Sequence, residues 1–197
     1  MLEYQLLENI NLTGQFLIAM PAMDDPFFSK TVIYICTHNQ DGAMGIVVNR
    51  ATDITITDLF EQIKLTPDSP ALLKKTVHYG GPVQTERGFI LHTPHQEYNS
   101  TVLVNNTVAL TTSKDILEAA AQNTGPEKML IALGYAGWTP GQLEDEMLQN
   151  AWLSLDTNNI HDIHTLIFDA PNESKFDIAM QLMGLNLANL SHNAGHA

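Results

Sequence analysis

Acidic side chains are the groups in this sequence whose types and spacing could most directly support catalysis. Carboxylates cluster at Asp24-Asp25 and at Glu144-Asp145-Glu146. A carboxylate acts as a general base when it lies within hydrogen-bond reach of a proton, so Asp25 and Glu144 are candidate bases for a hydrolase if a cleft brings them together. The second cluster also has an electrostatic interpretation. It falls in the first turns of a predicted helix, where the helix dipole stabilises each negative charge by about 0.3–1 kcal/mol.

Histidines offer a second kind of chemistry, but their spacing does not favour a metal site. His92 and His95 are three residues apart, as are His161 and His164. Neither pair falls on a predicted helix, and zinc sites usually need three or four ligands with defined geometry. The histidines are therefore interpreted as loop and strand-edge residues, and no metal or other cofactor is predicted.

Cys36 is the single cysteine, which excludes an intrachain disulfide. Cys36 and His38 are predicted to share one face of a strand, because side chains alternate along a strand. Their Cα atoms would lie about 6.5–7 Å apart, so a thiol–imidazole nucleophile would need a bridging residue. The alternative is a buried, unreactive cysteine.

Charge and motif content narrow the classes of function. The chain has 197 residues, with 9 Lys and Arg against 22 Asp and Glu, and a formal charge of −13. Proteins that bind DNA neutralise its phosphates with Lys and Arg, so direct nucleic-acid binding is disfavoured. Gly-x-Ser-x-Gly, Walker and Gly-x-Gly-x-x-Gly motifs are absent. No Lys or Arg precedes Lys30, and the longest apolar run is too short to span a bilayer, so a cytoplasmic protein without a membrane association is expected.

The elements that must position these groups are predicted from apolar periodicity and turn signals. Strands are predicted at 14–20, 31–38, 44–49, 77–79, 88–92, 101–104, 107–111, 128–136, 152–155 and 165–168. Helices are predicted at 57–65, 116–121, 140–150 and 173–183, and the last three begin at the predicted caps Thr112, Thr139 and Asn172. Interspersed strands and helices, with several hairpins, favour a single α+β domain with a mixed sheet over residues 1–185. Residues 186–197 are predicted to form a flexible tail.

Three corners where a predicted strand meets a turn are candidates for a binding site: Asn49-Arg50, Gly80-Gly81 and Gly137-Trp138. Loops at strand ends commonly display functional groups. If the corners meet, Arg50 supplies a cation and Trp138 an apolar wall, which suits a small anionic or peptide-carboxylate ligand. The alternatives are that Arg50 forms a surface salt bridge, that the glycines permit tight sheet packing and that Trp138 fills the core.

Several ordered segments resemble the AlgH/YqgE family of bacterial proteins over about residues 10–185. They are Gly14–Phe28, Thr31–Cys36, Gly45–Arg50, Gly80–Val83, Gly134–Trp138 and Gly141–Glu146. The resemblance implies a single α+β domain with a mixed, branched sheet flanked by helices. The family carries the label of transcriptional regulator, linked to alginate control, without an established biochemical activity. The motif residues that it implies for a shared ligand-binding cleft are Pro21, Asp25, Asn49, Arg50, Gly80, Gly81, Gly137, Trp138, Gln142 and Glu144.

The favoured function is therefore a regulatory protein that binds a protein or small ligand in a cleft rather than contacting DNA. One alternative is a hydrolase that uses Asp25 or Glu144 as its general base. The other is a direct DNA-binding regulator, which would need a contiguous basic face.

Overall fold

The computed structural model describes residues 11–68 and 70–185, so the tail predicted at 186–197 lies outside the described residues. The strands are β1 (Phe16–Ala19), β2 (Val32–Asn39), β3 (Gly42–Val47), β4 (Ala51–Thr55), β5 (Thr76–Tyr79), β6 (Val83–His92), β7 (Thr101–Leu103), β8 (Ala109–Thr111), β9 (Met129–Trp138) and β10 (Trp152–Leu155). The helices are α1 (Ile56–Gln62), α2 (Pro70–Leu73), α3 (Asp115–Ala121), α4 (Gln142–Leu148), α5 (Ile160–His164) and α6 (Asn172–Leu182). A π-helical turn, Thr165–Asp169, follows α5 directly.

The sheet is mixed and branched, and β9 is its branch point. The main path runs β10-β1-β2-β3-β9-β6-β8-β7, with β4 and β5 off this path. The end of β9 pairs with β3, whereas its first half lies between β6 and β5. The β5–β9 pair is parallel and the others are antiparallel. This arrangement confirms the expected single α+β domain with a mixed, branched sheet and flanking helices.

Apolar side chains on both faces of the sheet are buried, because helices or loops cover each face. In β1, Phe16 and Ile18 belong to one core cluster, which also contains residues of α5, the π-helical turn and α6. Leu17 and Ala19 point the other way and pack with residues of α4 and the β1–β2 loop. A third cluster joins α1 and α3 to β5, β6 and β9. Burial on both faces explains the continuous apolar runs of these strands.

A β-bulge in β2 changes the expected relation between Cys36 and His38. Ile35 pairs with Gly45 and Thr37 pairs with Met44, so Cys36 is the extra residue. Cys36 therefore packs in the cluster under α6. The imidazole of His38 points to the opposite face, where it contacts Leu12 and Glu144. The expectation that the two side chains share one face was wrong, because a bulge interrupts the alternation on which it rested.

Residues 165–168 are part of the π-helical turn and not of a strand. A short apolar run has the same composition in a buried strand and in a buried helix, and here α5 continues directly into the turn. The helix starts also differ from the predicted caps: the N-cap residues are Lys114, Gly141 and Pro171. Within the described residues, no helix is long and apolar enough to cross a bilayer.

Candidate functional site

Arg50 holds the loop between β1 and β2. Its Nη1 donates to the carbonyl oxygen of Pro26 and its Nη2 to that of Ser29, each at 3.0 Å. Asp25 shapes the same loop, because its Oδ1 accepts backbone N–H groups from Phe27 and Phe28 at 2.8 and 3.0 Å. The guanidinium thus binds backbone carbonyls, and among the described residues it does not form the surface salt bridge that the sequence left open.

Asn49 joins the end of that loop to the sheet. Its Oδ1 accepts from the backbone N–H of Val32 at 2.9 Å, and its Nδ2 donates to the carbonyl of Lys30 at 2.9 Å. Pro21 lies exposed at the start of the loop. Four predicted site residues therefore lie on or beside the β1–β2 loop: Pro21, Asp25, Asn49 and Arg50. The side chains of the last three form hydrogen bonds to backbone groups in or next to this loop.

Gly80 and Gly81 allow two chain segments to approach within backbone contact. A Cβ on Gly80 would lie 2.2 Å from the carbonyl oxygen of Gly134, and one on Gly81 would lie 2.1 Å from the carbonyl carbon of Tyr135. Gly81 also has φ +152°, where side chains are disfavoured. Close packing against β9 accounts for this glycine pair.

Trp138 is a core residue, with 6% of its surface exposed. Its ring meets that of Trp152 edge to face at 5.9 Å between centroids. Both indole Nε1–H groups donate to the same oxygen, Oε2 of Glu146, at 2.8 and 2.7 Å. Buried indole N–H groups require an acceptor, so Glu146 satisfies two of them at once.

Gln142 and Glu144 extend this polar network along α4. Gln142 donates from Nε2 to Glu146 Oε1 at 2.9 Å, and its own Oε1 accepts from the backbone of Thr139 at 3.0 Å. The Nε2 of His38 lies 2.9 Å from Oε1 of Glu144. Because the backbone N–H of Leu12 donates to Nδ1 of His38, Nε2 carries the hydrogen and donates to the carboxylate.

Glu146 is a key residue that the sequence did not assign to the site. Its carboxylate falls in the acidic cluster that the helix dipole also explained. The available signal was the presence of Trp138 and Trp152 at 8 and 6 residues from Glu146. The three residues lie on three different elements, β9, α4 and β10, so no single period relates them, and only the fold shows that both rings reach one carboxylate.

The predicted residues form two groups near opposite ends of β3. Trp138 pairs with Ala43 at the start of β3. Arg50 follows the end of β3 and comes seven residues after Ala43. At the rise per residue of a strand, that separation from Ala43 is about 20 Å. An open groove of about 480 Å³ lies beside Gly137 and Trp138. Its walls include Asn39, Asp41, Val83 and Tyr135, but not Asn49, Arg50, Gly80 or Gly81. Ligand binding by the ten motif residues stays a prediction.

A more enclosed cleft of about 420 Å³ lies between α1 and α3, above β6 and β9, and is called the α1–α3 cleft below. Its apolar lining comes from Ile54, Leu59, Ile63, Ile90, Leu117, Ile131 and Leu133. Polar groups stand among them, from Gln62, Thr85, Glu86, Thr112, Ser113 and Lys114. The sequence did not indicate this cleft, because its lining comes from several separate elements. In each element taken alone, the apolar residues have the pattern of ordinary core residues.

The histidines that the sequence considered as ligands do not assemble a metal site. Among the described residues, no group of three or more His, Cys, Asp or Glu side chains could hold a metal ion. His161 and His164 lie on α5, contrary to the predicted loop placement. His92 instead binds Thr111 through Nε2 at 2.8 Å and Thr93 through Nδ1 at 2.8 Å.

Cys36 is expected to react with a thiol reagent only when the protein unfolds. Its side chain is 1% exposed, and burial raises the pKa of its thiol, which depletes the reactive thiolate. Labelling with an aromatic disulfide reagent at neutral pH should be at least about 100-fold slower in the native protein than in urea. Rapid labelling of the native protein would show that the β2 bulge opens readily.

Comparisons with known proteins agree with this fold. The AlgH-like family profile matches residues 16–188. A UPF0301 protein of Thiobacillus denitrificans is 54% identical over 192 residues, covering 97% of this chain and 100% of the relative. The solution structure of AlgH from Pseudomonas aeruginosa superposes with a TM-score of 0.76 at 44% identity, covering 96% of this chain and 97% of that one. A crystal structure of a Corynebacterium diphtheriae protein shares the fold at 18% identity, with a TM-score of 0.65 over 89% of this chain and 87% of that one.

The branched sheet, the glycine pair packed on β9 and the Trp–Glu–Trp network of α4 define a single-domain α+β protein with clefts between its layers. The chain belongs to the AlgH-like family, as the match over residues 16–188 and the close relatives show. Its relatives carry the name UPF0301 protein, which states no activity.

Proposed function

We propose that this protein binds a small, mostly apolar ligand with a polar end in the α1–α3 cleft, and that any regulatory role depends on such a ligand or on a protein partner. The observation that carries the proposal is the composition of this cleft, with an apolar floor and a few polar groups around it. Its volume of about 420 Å³ falls in the range of small-molecule sites, which typically combine these two features.

Binding is favoured over hydrolysis by the partners of the two candidate bases. Asp25 accepts two backbone N–H groups of its own loop, and Glu144 accepts from a buried histidine. The two carboxylates lie in the two groups near opposite ends of β3, and neither lines the α1–α3 cleft or the groove beside Trp138. A general base must reach the substrate's proton, so these contacts support structural roles.

A partner other than DNA is favoured by the charge of the chain, which is −13. Nucleic-acid affinity depends on Lys and Arg side chains that displace counterions from phosphates. Of the two arginines, Arg50 already donates to two carbonyls of its own loop, so these donors are engaged within the protein.

Filling the α1–α3 cleft tests the proposal, and Gly88 offers the place to do it. Among the described residues, a Cβ on Gly88 would meet only the Cδ1 of Ile90, at 3.9 Å, so a larger side chain can enter the cleft without backbone strain. The probe is 1-anilinonaphthalene-8-sulfonate, an apolar dye with one charged group, followed by fluorescence. The wild type should bind it saturably, and Gly88→Leu should weaken that binding by about tenfold or more, which is about 1.4 kcal/mol.

Gly88→Ala is the matched control, because it adds one carbon and leaves most of the cleft open. It should keep the dye affinity within about twofold of the wild type. Circular dichroism confirms that each variant is folded. Equal dye affinity in wild type and Gly88→Leu, or no saturable binding by the wild type, contradicts the assignment of this cleft.

A further inference from the structure

A polar cleft of about 350 Å³ lies where α6 begins, on a part of the molecule separate from the α1–α3 cleft. We call it the lysine cleft and define it by Lys74, Lys75, His78, Asn172 and Lys175. The first two precede β5, His78 lies within β5, and the last two lie on α6. The two clefts share no lining residue, so a ligand here would be additional to the one proposed above.

Lys175 is the unusual group of this cleft, because it is a lysine with only 2% of its surface exposed. Its Nζ donates to the carbonyl oxygens of Val48 and Ile167 at 2.8 and 2.9 Å. An ammonium group has three hydrogens, so these two carbonyls account for two of them. They also tie Val48, the residue after β3, to the π-helical turn, which gives Lys175 a structural role as well.

The buried ammonium of Lys175 has no carboxylate within ion-pair distance among the residues that the structure describes. The nearby Asp169 is paired with Lys128 instead, at 2.6 Å. Burial lowers the pKa of Lys175 to about 8, while the charge of Asp169 acts in the opposite direction. Lys175 is thus still mostly charged at pH 7, and burying such a charge is unfavourable unless an anion compensates it.

The surroundings of Lys175 are positive in a strongly acidic chain. Lys74 and Lys75 stand exposed at the edge of the cleft, so its lining holds three lysines with Lys175 and one carboxylate, Glu173. Nearby, Lys128 and Asp169 pair with each other. Such a local excess attracts anions even though the protein as a whole repels them.

His78 and the first turn of α6 complete the lining of the cleft. His78 is buried, with Nε2 3.0 Å from Oδ1 of Asn172 and Nδ1 3.1 Å from the carbonyl oxygen of Thr76. Burial is the main cause that lowers the pKa of His78; the bond to Asn172 opposes this shift and the charge of Lys175 adds to it. The N-cap residue of α6, Pro171, makes no side-chain capping bond. The first backbone N–H groups of this 11-residue helix therefore border the cleft without a side-chain cap.

We propose that the lysine cleft binds a small phosphorylated molecule, whose phosphate lies between Lys74, Lys75 and Lys175 at the start of α6. Lysine ammonium groups serve as point charges for phosphate, and free N–H groups at a helix start add donors aimed at an anion. The cleft is larger than one phosphate group, which leaves room for the organic part of the ligand.

The test uses inorganic pyrophosphate as the probe, titrated into the full-length protein and followed by amide chemical shifts. Shifts should concentrate at residues 74–78 and 172–175. The double variant Lys74→Gln/Lys75→Gln should weaken pyrophosphate binding by about tenfold or more, because charge-assisted hydrogen bonds are lost. Both lysines are exposed, so this variant should remain folded.

Lys30→Gln/Lys64→Gln is the matched control, since it removes the same charge from exposed lysines that line neither cleft. It should keep the wild-type affinity for pyrophosphate, as should Gly88→Leu, which separates this inference from the function proposed for the α1–α3 cleft. Lys175→Met should abolish binding, with circular dichroism as the check on folding. If both double variants weakened pyrophosphate binding equally, the loss would come from the overall charge of the protein and not from the lysine cleft. That result, or shifts that avoid the cleft, overturns the proposal.

Discussion

Replacing Gly81 by alanine is expected to destabilise the protein by more than about 4 kcal/mol, or to prevent folding. The added Cβ would lie 2.1 Å from the carbonyl carbon of Tyr135 and 2.3 Å from the backbone nitrogen of Ala136. Both are backbone atoms of β9, the strand at which the sheet branches, so no rotation of a side chain relieves the overlap. The positive φ of Gly81 adds strain for any residue that carries a Cβ.

The measurement is urea unfolding followed by far-ultraviolet circular dichroism, with Gly88→Ala as the matched control. In the part of the chain that the structure describes, the nearest atom to a Cβ at Gly88 is 3.9 Å away, so the control should remain within about 1 kcal/mol of the wild type. A Gly81→Ala protein as stable as that control would mean that the glycine pair is not needed for packing on β9, and would favour a ligand as the reason for it.

Replacing Trp138 by alanine should lower the free energy of unfolding by about 3–5 kcal/mol, the usual range for a buried tryptophan. The ring is 6% exposed and packs against Trp152, and its loss also removes a hydrogen bond to Glu146. Urea unfolding followed by circular dichroism measures the effect, because the substitution changes the fluorescence signal itself. A loss below about 1 kcal/mol would place Trp138 at an adaptable surface and favour its role as a groove wall.

Arg50→Ala is the companion variant, and its effect should be smaller. The sequence alone predicts a loss of at most about 1 kcal/mol for an exposed charge. The two bonds from the guanidinium to carbonyl oxygens of the β1–β2 loop raise that expectation to about 1–3 kcal/mol. Arg50→Lys keeps the charge but loses the fork of donors, so it should recover only part of the stability.

Much of the fold can be predicted from short segments of the sequence. The β2–β3 hairpin, the strands β1 and β10 and the helix α6 lie within a few residues of their predicted positions. Each depends on local signals, such as a run of β-branched residues or a turn-forming Asp-Gly pair. Gly184 after α6 has φ +74°, as expected for a glycine that closes a helix. The ordered motifs also identified the family, because their residue types and order are specific.

The bulge at Cys36 and the π-helical turn after α5 could not be predicted from such local signals. One extra residue in a strand moves every later side chain to the other face, yet it leaves the residue types unchanged. An apolar run such as residues 165–168 suits a buried strand and a buried helix equally. In both cases the packing of neighbouring elements selects the conformation. Those elements are distant in sequence, so the periodicity of a short segment does not reveal the conformation.

The sequence by itself determined the fold class, the family, the acidic character of the chain and which residues form its motifs. The tertiary structure alone decided what those residues contact. His38 meets Glu144 across 106 residues of sequence and Lys175 meets Val48 across 127, and both clefts proposed as binding sites combine residues of separate elements. The physical reason is that backbone preferences act over a few residues, whereas a cleft or a buried charge depends on groups that only the folded chain brings within a few ångströms.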